Sequence, residues 1–399
     1  MLKNQYMKRF YLAMIALMFC IACYAQDYYL FVGTYTNGKS KGIYVYQFNA
    51  ANGHFKEISE IESKNPSYLT ASPNGKFLYA VNENGSNIAG GVSAFSFDKS
   101  KGQLQLLNQQ SSGGADPCYI SENNSSQWVF VANYSGGSLA AIPVKPDGKL
   151  DSVAQLIQHE GKGVIPDRQE KAHIHSAVLS PDQHYLFVAD LGLDREYIYR
   201  FDPSKKQPLA PAKDSFATLN PGSGPRHFAF HPTKPYAYLI NELSGMVDAF
   251  DYTSGKLDQI QEISSHPADY KGEKGSADIH VSPDGRFLYA TNRGDANSIA
   301  IYSIDQANGK LKLAGIQSTM GKHPRNFMID PTGHFLLIAN RDSDNIVIFS
   351  INSKTGLLTA TGQQISTPNP VCLKMLKKCT TCNPKPKSKH HGKKSHKKS

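Results

Sequence analysis

The chain has 399 residues, of which 40% are hydrophobic, so it is long enough to bury a sizeable core. Its 43 Lys and Arg outnumber its 33 Asp and Glu by ten, and the ten lysines between Lys374 and Ser399 account for that whole excess. The rest of the chain is close to neutral, which argues against a basic nucleic-acid-binding fold. The four cysteines beyond residue 25 are too few for a disulfide-framed fold.

The first 25 residues have the pattern of a signal peptide. Lys8 and Arg9 precede an apolar run from Phe10 to about Cys23, and small residues end at Ala25. We therefore expect an exported protein, periplasmic or secreted, that is cleaved after Ala25. Two alternatives stay open: an uncleaved anchor, and a lipid on Cys23, whose preceding residues match the usual lipoprotein box poorly.

After the N-terminus, one hairpin-like segment recurs six times. Each copy is a short strand, a turn and a second strand that ends at Asn or Asp. The copies are NPSYLTASPNGKFLYAVNE (65–83), DPCYISENNSSQWVFVANY (116–134), HIHSAVLSPDQHYLFVADL (173–191), GSGPRHFAFHPTKPYAYLINE (222–242), ADIHVSPDGRFLYATNR (277–293) and HPRNFMIDPTGHFLLIANR (323–341). A period near fifty residues is typical of a solenoid, an array or a propeller.

Two further β-type runs separate successive copies, so each unit has four short antiparallel strands. A seventh copy is split: residues 28–48 carry only the second-strand pattern, and residues 367–376 carry only the first-strand pattern. These features predict an all-β, seven-bladed β-propeller over residues 26–376. Its ring is closed by N- and C-terminal strands that share one blade, which protects sheet edges from aggregation.

Residues 377–399 form a Lys- and His-rich tail that we expect to be disordered. It contains the pair Cys379 and Cys382, with His390, His391 and His396 further on. This pair is compatible with a disulfide or with half of a metal site, but we expect an incidental pair in a disordered tail, because no second CxxC completes a zinc site. We expect the tail to serve solvation, with contact to an anionic envelope surface as the sharper alternative.

The charged residues of the repeats are predicted to share one mouth of the central channel. The inner strand of a blade starts on the face where the second strand ends. The residues at strand starts are His173, His175, Arg226, His227, Asp278, His280 and Arg325, and those at strand ends are Glu83, Asp190, Glu242, Arg293 and Arg341. Arginines bind phosphate or carboxylate in a bidentate manner and histidine titrates near neutral pH, so this set is suited to hydrolysis or proton transfer on a small anion.

A structural role competes with this interpretation at every single position, because polar residues at strand ends often only cap turns. The cluster carries more weight than its members. Equivalent positions in other blades hold uncharged residues such as Ser67 and Tyr119, so the scaffold does not require the charges.

The segments GPRHFAFHP…YAYLINE, HIHSAVLSPD, ADIHVSPDGRFLYATNR and HPRNF resemble the seven-bladed lactonase family, which includes bacterial 6-phosphogluconolactonase and carboxymuconate lactonizing enzymes. The resemblance spans about residues 28–376. It implies a lactone-hydrolysing enzyme with His175, Glu242, Arg226 and Arg293 as catalytic residues. His175, with Glu242, would act as general base and then as acid, while Arg226 and Arg293 hold an anionic group or the oxyanion.

The resemblance also implies that the substrate is a small-molecule lactone, contacted in addition by Arg325 and His227. From their places at strand starts we expect His173 and His280 to contact the substrate as well. We expect no cofactor, no required metal, no nucleic-acid partner and a monomer. The chain departs from the cytoplasmic phosphogluconolactonases in its signal peptide, its tail, Asn292 in place of a typical Asp, and the long loop HEGKGVIPDRQEKAHIH (159–175).

The competing interpretation is a secreted propeller that binds a small anion or a protein without turnover. The same cluster would serve that role, except that a pure anion binder has less need of His175 beside Glu242. A quinoprotein-like dehydrogenase is disfavoured because the chain has a single tryptophan, Trp128.

Overall fold

The computed structural model describes residues 27–85 and 88–378, and these residues form a seven-bladed β-propeller with four antiparallel strands in each blade. The predicted fold class is therefore confirmed. The predicted signal peptide and the Cys379–Cys382 pair with its neighbouring histidines lie outside the described residues. Within the described ranges, no helix is long and apolar enough to cross a membrane.

Each sheet is one blade. The first blade joins both ends of the chain, with the innermost strand first: β28 (Pro370–Lys377), β1 (Asp27–Thr34), β2 (Gly42–Asn49) and β3 (Phe55–Glu62). Blades two to four follow in chain order: β4 (Leu69–Ala71), β5 (Phe77–Asn82), β6 (Ala89–Asp98), β7 (Gln103–Ala115); β8 (Pro117–Glu122), β9 (Trp128–Asn133), β10 (Ser138–Pro143), β11 (Gln155–Gln158); β12 (Ile174–Leu179), β13 (Tyr185–Asp190), β14 (Arg195–Phe201), β15 (Leu209–Thr218).

Blades five to seven repeat the arrangement: β16 (Pro225–Phe230), β17 (Tyr236–Asn241), β18 (Met246–Thr253), β19 (Lys256–Ser264); β20 (Ser276–Val281), β21 (Phe287–Asn292), β22 (Ser298–Ile304), β23 (Leu311–Ser318); β24 (Pro324–Ile329), β25 (Phe335–Asn340), β26 (Asn345–Ile351), β27 (Leu358–Ser366). A 3₁₀ turn, Arg341–Ser343, follows β25. The second strand of every complete repeat ends at the Asn or Asp that the sequence marked.

The core lies between the blades. Strand β17 shows why, because its side chains alternate between two neighbouring blades. Tyr238 and Ile240 pack in the cluster shared with blade six, whereas Ala237 and Leu239 pack in the cluster shared with blade four. A strand that is covered on both faces needs a continuous apolar sequence, and the second strands of the repeats have one.

The same contact recurs between neighbouring blades: a tyrosine hydroxyl of one blade donates to a glycine carbonyl of the next. The Tyr238 hydroxyl donates to the Gly309 carbonyl at 2.9 Å, and Tyr289 donates to Gly356 in the same manner at 2.8 Å. Gly309 has φ +69° and packs against the Tyr236 ring, where a Cβ would lie 2.5 Å from a ring carbon. Only glycine satisfies both conditions, the left-handed backbone and the close approach.

The ring is closed by strand pairing, as predicted. Strand β28 runs antiparallel to β1, from Tyr28 opposite Lys377 to Gly33 opposite Cys372. The Lys378 amide also donates to the Asp27 carbonyl at 2.9 Å. The strand pairing therefore reaches Lys377, next to the predicted start of the tail, and one further backbone hydrogen bond is made by Lys378.

Candidate active site

Two equivalent positions in each blade build one mouth of the channel. The first is the second residue of the inner strand, which is Cys118 in β8, His175 in β12, Arg226 in β16 and Arg325 in β24. The second is the residue directly after the second strand, and these residues are Tyr35, Glu83, Tyr134, Glu242, Arg293 and Arg341. Because all blades share one register, side chains from these positions converge on the channel axis.

The convergence encloses a cavity of about 210 Å³. Its walls are formed by Tyr35, Glu83, Cys118, Tyr134, Arg168, His175, Glu242, Arg293 and Arg325. Tyr35 and Glu83 also belong to a wider outer cavity of about 540 Å³, so the two cavities form a funnel that opens to solvent. The Tyr35 hydroxyl donates to both Glu83 carboxylate oxygens, at 3.0 and 3.2 Å.

Glu242 is the centre of the arginine cluster. Its Oε2 lies 2.8 Å from Arg226 Nε and 2.7 Å from Arg293 Nη2, and its Oε1 lies 2.5 Å from Arg168 Nη2. Burial alone would raise the pKa of this carboxyl, but Arg293 and Arg226 hold it well below its usual range. Glu242 is therefore an anion under ordinary conditions and a weak proton acceptor.

The arginines differ in what they can offer to a ligand. Arg226 is 1% exposed and lies behind Glu242, where its Nη1 also donates to the Ala277 carbonyl. Burial, with Arg293 and Arg325 nearby, lowers the Arg226 pKa to about 10, which still leaves it charged at neutral pH. Arg293 is held by the Gly275 and Ser276 carbonyls at 2.9 and 3.2 Å.

Arg325 faces the cavity without a fixed polar partner. Its guanidinium lies over the Tyr35 ring, 5.5 Å from the ring centre. Within residues 27–85 and 88–378, no side chain or backbone group accepts a hydrogen bond from it or pairs with it. The positive charges at the cavity outnumber the two carboxylates, Glu83 and Glu242, because four arginines lie there: Arg168, Arg226, Arg293 and Arg325. The cavity is therefore suited to an anion or a developing oxyanion.

His175 is 4% exposed and lines the same cavity. Its Nδ1 lies 3.7 Å from Cys118 Sγ, a weak contact that orients the ring. Burial, followed by the charge of Arg226 and the neighbouring His227, lowers the pKa of His175 well below its usual range. The imidazole is therefore neutral, with a lone pair that can accept a proton, and its surroundings make it a weaker base than an exposed histidine. Burial raises the pKa of the Cys118 thiol, which disfavours a thiolate nucleophile.

The remaining predicted residues lie around the cavity and not in its wall. His227 is under the floor, where its ring centre lies 5.3 Å from that of His175 and its Nδ1 bonds Asp278 Oδ1 at 2.7 Å. Burial and Arg226 lower the pKa of His227 to about 3. His280 is two residues further down the channel than Asp278, which it bonds at 3.0 Å. His173 stacks on Tyr134 and bonds Glu170 at the mouth.

The structure thus brings His175, Glu242, Arg293 and Arg325 to one cavity, with Arg226 directly behind it, and does not bring His173, His227 or His280 into its wall. Arg168, Tyr35, Tyr134 and Cys118 were not identified from the sequence as site residues. In the described part of the chain, no three His, Cys, Asp or Glu side chains are grouped so that they could hold a metal ion.

Fold and site together define a propeller with an arginine-rich cavity at one mouth of its channel, built around a neutral histidine. The family model for the seven-bladed β-propeller lactonases matches residues 29–375. The chain belongs to this lactonase family.

Relatives with known names span almost the same length. The chain is 42% identical to a 6-phosphogluconolactonase of Formosa agariphila, over 84% of this chain and 96% of that one. It is 39% identical to a 6-phosphogluconolactonase of Bacillus subtilis, over 87% and 97%. Among solved structures, the periplasmic gluconolactonase of Pseudomonas aeruginosa is 38% identical, with a TM-score of 0.85 over 88% of this chain and 100% of that one.

Proposed function

We propose that the protein hydrolyses the ring ester of a sugar lactone of the gluconolactone type, with or without a phosphate. The observation that carries this proposal is the presence of neutral His175 in one cavity with Arg293 and Arg325. Hydrolysis of an ester needs a proton acceptor for water and positive charge for the oxyanion, and this cavity offers both. The named relatives support the same chemistry.

In the proposed mechanism, His175 accepts a proton as a water molecule attacks the lactone carbonyl carbon. Arg293 and Arg325 stabilise the oxyanion of the tetrahedral intermediate, and Arg226 adds charge from behind. When the bond from the carbonyl carbon to the ring oxygen breaks, protonated His175 returns the proton to the leaving alkoxide. An anion in the cavity offsets the arginines and thereby makes the proton easier for His175 to accept.

We propose a different role for Glu242 from that of a proton acceptor. Its three arginine partners and its low pKa suit it to hold Arg226, Arg293 and Arg168 at fixed positions. Positioning of charge before the reaction is a large part of catalysis in such cavities.

The direct test is hydrolysis of δ-gluconolactone and 6-phosphogluconolactone by the purified protein, measured above the spontaneous rate. We expect turnover of at least one lactone, and a loss of about 10²-fold or more in kcat for His175→Ala, the size typical of a lost general base. His184→Ala is the matched control, because His184 is exposed in the turn that precedes β13. Absence of turnover for every lactone, with tight binding of the corresponding acids, would favour the binding module instead.

We also propose that the chain is exported, as the pattern of residues 1–25 indicates. The periplasmic relative from Pseudomonas aeruginosa supports this proposal. N-terminal sequencing of protein from the envelope fraction tests it, and a chain that still begins at Met1 in the cytosol would contradict it.

A further inference from the structure

One cavity residue comes from outside the repeats. Arg168 lies in the loop of residues 159–173, which connects β11 to β12 and is the longest connection between neighbouring blades. Its Nη2 bonds Glu242 and also donates to the Tyr134 hydroxyl at 3.3 Å. Among the described residues, nothing accepts a hydrogen bond from its Nε or Nη1, so three N–H groups of the guanidinium are available to a ligand.

Arg168 is also the most exposed arginine bonded to Glu242. Its side chain is 41% exposed, compared with 10% for Arg293 and 1% for Arg226. Arg168 therefore stands on the solvent side of the cavity, while His175 and Arg226 lie deep. A lactone with its carbonyl at His175 would direct its distal substituent towards Arg168.

The loop that carries Arg168 is fixed by the next residue. Gln169 is fully buried, and its Oε1 accepts the Val164 and Ile165 amides, both at 3.1 Å. Its Nε2 donates to the Leu191 carbonyl at 2.8 Å and to Asp194 Oδ1 at 2.7 Å. The loop is thus tied to the turn between β13 and β14.

Asp194 extends this connection to the strand of Arg226. It is 5% exposed, and its carboxylate accepts the Gly222 amide at 2.7 Å and the Gly224 amide at 2.8 Å. These glycines lead directly into β16, whose second residue is Arg226. One buried carboxylate therefore connects the backbone segments that present Arg168 and Arg226 to Glu242.

We propose that Arg168 is a specificity-determining residue that binds an anionic substituent of the substrate distal to its carbonyl, and that Asp194, acting through Gln169, is its positioning residue. The proposal rests on the proposed lactonase function and deepens it, since it favours phosphorylated over neutral lactones. A guanidinium with free N–H groups binds phosphate in a bidentate manner, whereas it gains much less from a hydroxyl.

Binding of two acids tests the proposal without turnover. We expect Arg168→Gln to weaken 6-phosphogluconate binding by about tenfold or more in calorimetry, and gluconate binding by less than about twofold. Asp194→Asn should shift the ratio of the two affinities in the same direction. In the double variant with Arg168→Gln, it should change this ratio little further, because the two residues act as one unit. Arg195→Gln is the control, since Arg195 stacks on Phe216 outside the cavity.

Gln169→Glu provides a second variant if Asp194→Asn does not fold, because it sets a carboxylate against Asp194 and leaves every strand unchanged. An unchanged affinity ratio in Arg168→Gln, a failure of the wild type to bind 6-phosphogluconate more tightly than gluconate, or additive effects with Asp194→Asn would each overturn the proposal. Absence of lactone hydrolysis with this binding pattern intact would instead contradict the lactonase function alone.

Discussion

At the scale of the residue, Glu242 determines how the arginine cluster responds to acid. Its pKa is held well below the unfolded value of about 4.3, so it contributes stability that is fully present above that pH. The contribution is lost as the pH falls through the folded pKa. Glu242→Gln leaves buried arginines unpaired, and we expect it to cost about 3–5 kcal/mol of unfolding free energy at pH 7.

Urea unfolding of the wild type and Glu242→Gln between pH 3 and pH 7 measures this effect. The difference in unfolding free energy between the two proteins should become smaller below about pH 4.3. Protonation of Glu242 removes its stabilising charge from the wild type, and the variant never had that charge. Titrating groups outside this cluster are common to both chains and cancel. Glu60→Gln, which removes a surface pair with Lys41, is the control and should leave the free energy of unfolding nearly unchanged, because water screens the pair. A gap that is constant over the whole range would contradict this account of Glu242.

Sequence reasoning identified cavity residues where a residue occupied a repeated position, and their catalytic roles remain predictions. The start of each inner strand and the end of each second strand lie on the same face of the propeller. This rule located four of the cavity residues, His175, Glu242, Arg293 and Arg325. Tyr35 and Tyr134 follow their strands at the same offset as Glu242, so the rule would have found them had uncharged residues been considered.

Other parts of the site had no such signal. Arg168 lies in a loop without a repeated register, and the contact that brings it to Glu242 depends on Gln169 and Asp194, which are distant in sequence from Arg226. His280 was expected at the mouth because it lies near a strand start, but its partner in the ladder is Tyr289, three residues before the end of β21. Residues this far along an inner strand face the channel below the cavity.

At the scale of the element, packing between blades depends on glycines with a left-handed backbone. Ala at position 309 would have to adopt φ +69° and place its Cβ 2.5 Å from the Tyr236 ring. We expect Gly309→Ala to cost about 1–3 kcal/mol from the backbone alone, with a further loss from the displaced ring. Thermal unfolding followed by circular dichroism measures the change.

Gly362→Ala separates the two causes. Gly362 has φ +79°, but a Cβ added there meets no atom within 4 Å. This variant should show only the backbone cost and melt above Gly309→Ala. Equal melting temperatures would mean that the contact with Tyr236 adds nothing to the stability of the blade interface.

At the scale of the whole molecule, the sequence predicted a closed ring from the repeat period and from the split seventh copy. The N-terminal segment has only the second-strand pattern and the C-terminal segment only the first-strand pattern, so the two complete one blade by pairing with each other. The sequence could not predict where the last strand stops. The run of lysines begins at Lys374, inside β28, so the amino-acid composition changes before the strand ends. The pairing with β1 ends sharply at Lys377, and composition alone does not mark that residue.

Closure makes β28 the strand on which the whole ring depends. Val371, Cys372 and Leu373 are each at most 1% exposed. Cys372 packs in the core that blade one shares with blade two, and Leu373 packs in the core that it shares with blade seven. A chain that ends at Asn369 would lose this core and leave the β1 edge unpaired, so we expect aggregation or a melting temperature lower by more than about 10 °C. A chain that ends at Lys378 keeps every β28 pair and should melt with the full-length protein. Size-exclusion chromatography and thermal melts of the three chains test this, and similar melting of the two shortened chains would mean that the propeller does not need its closing strand.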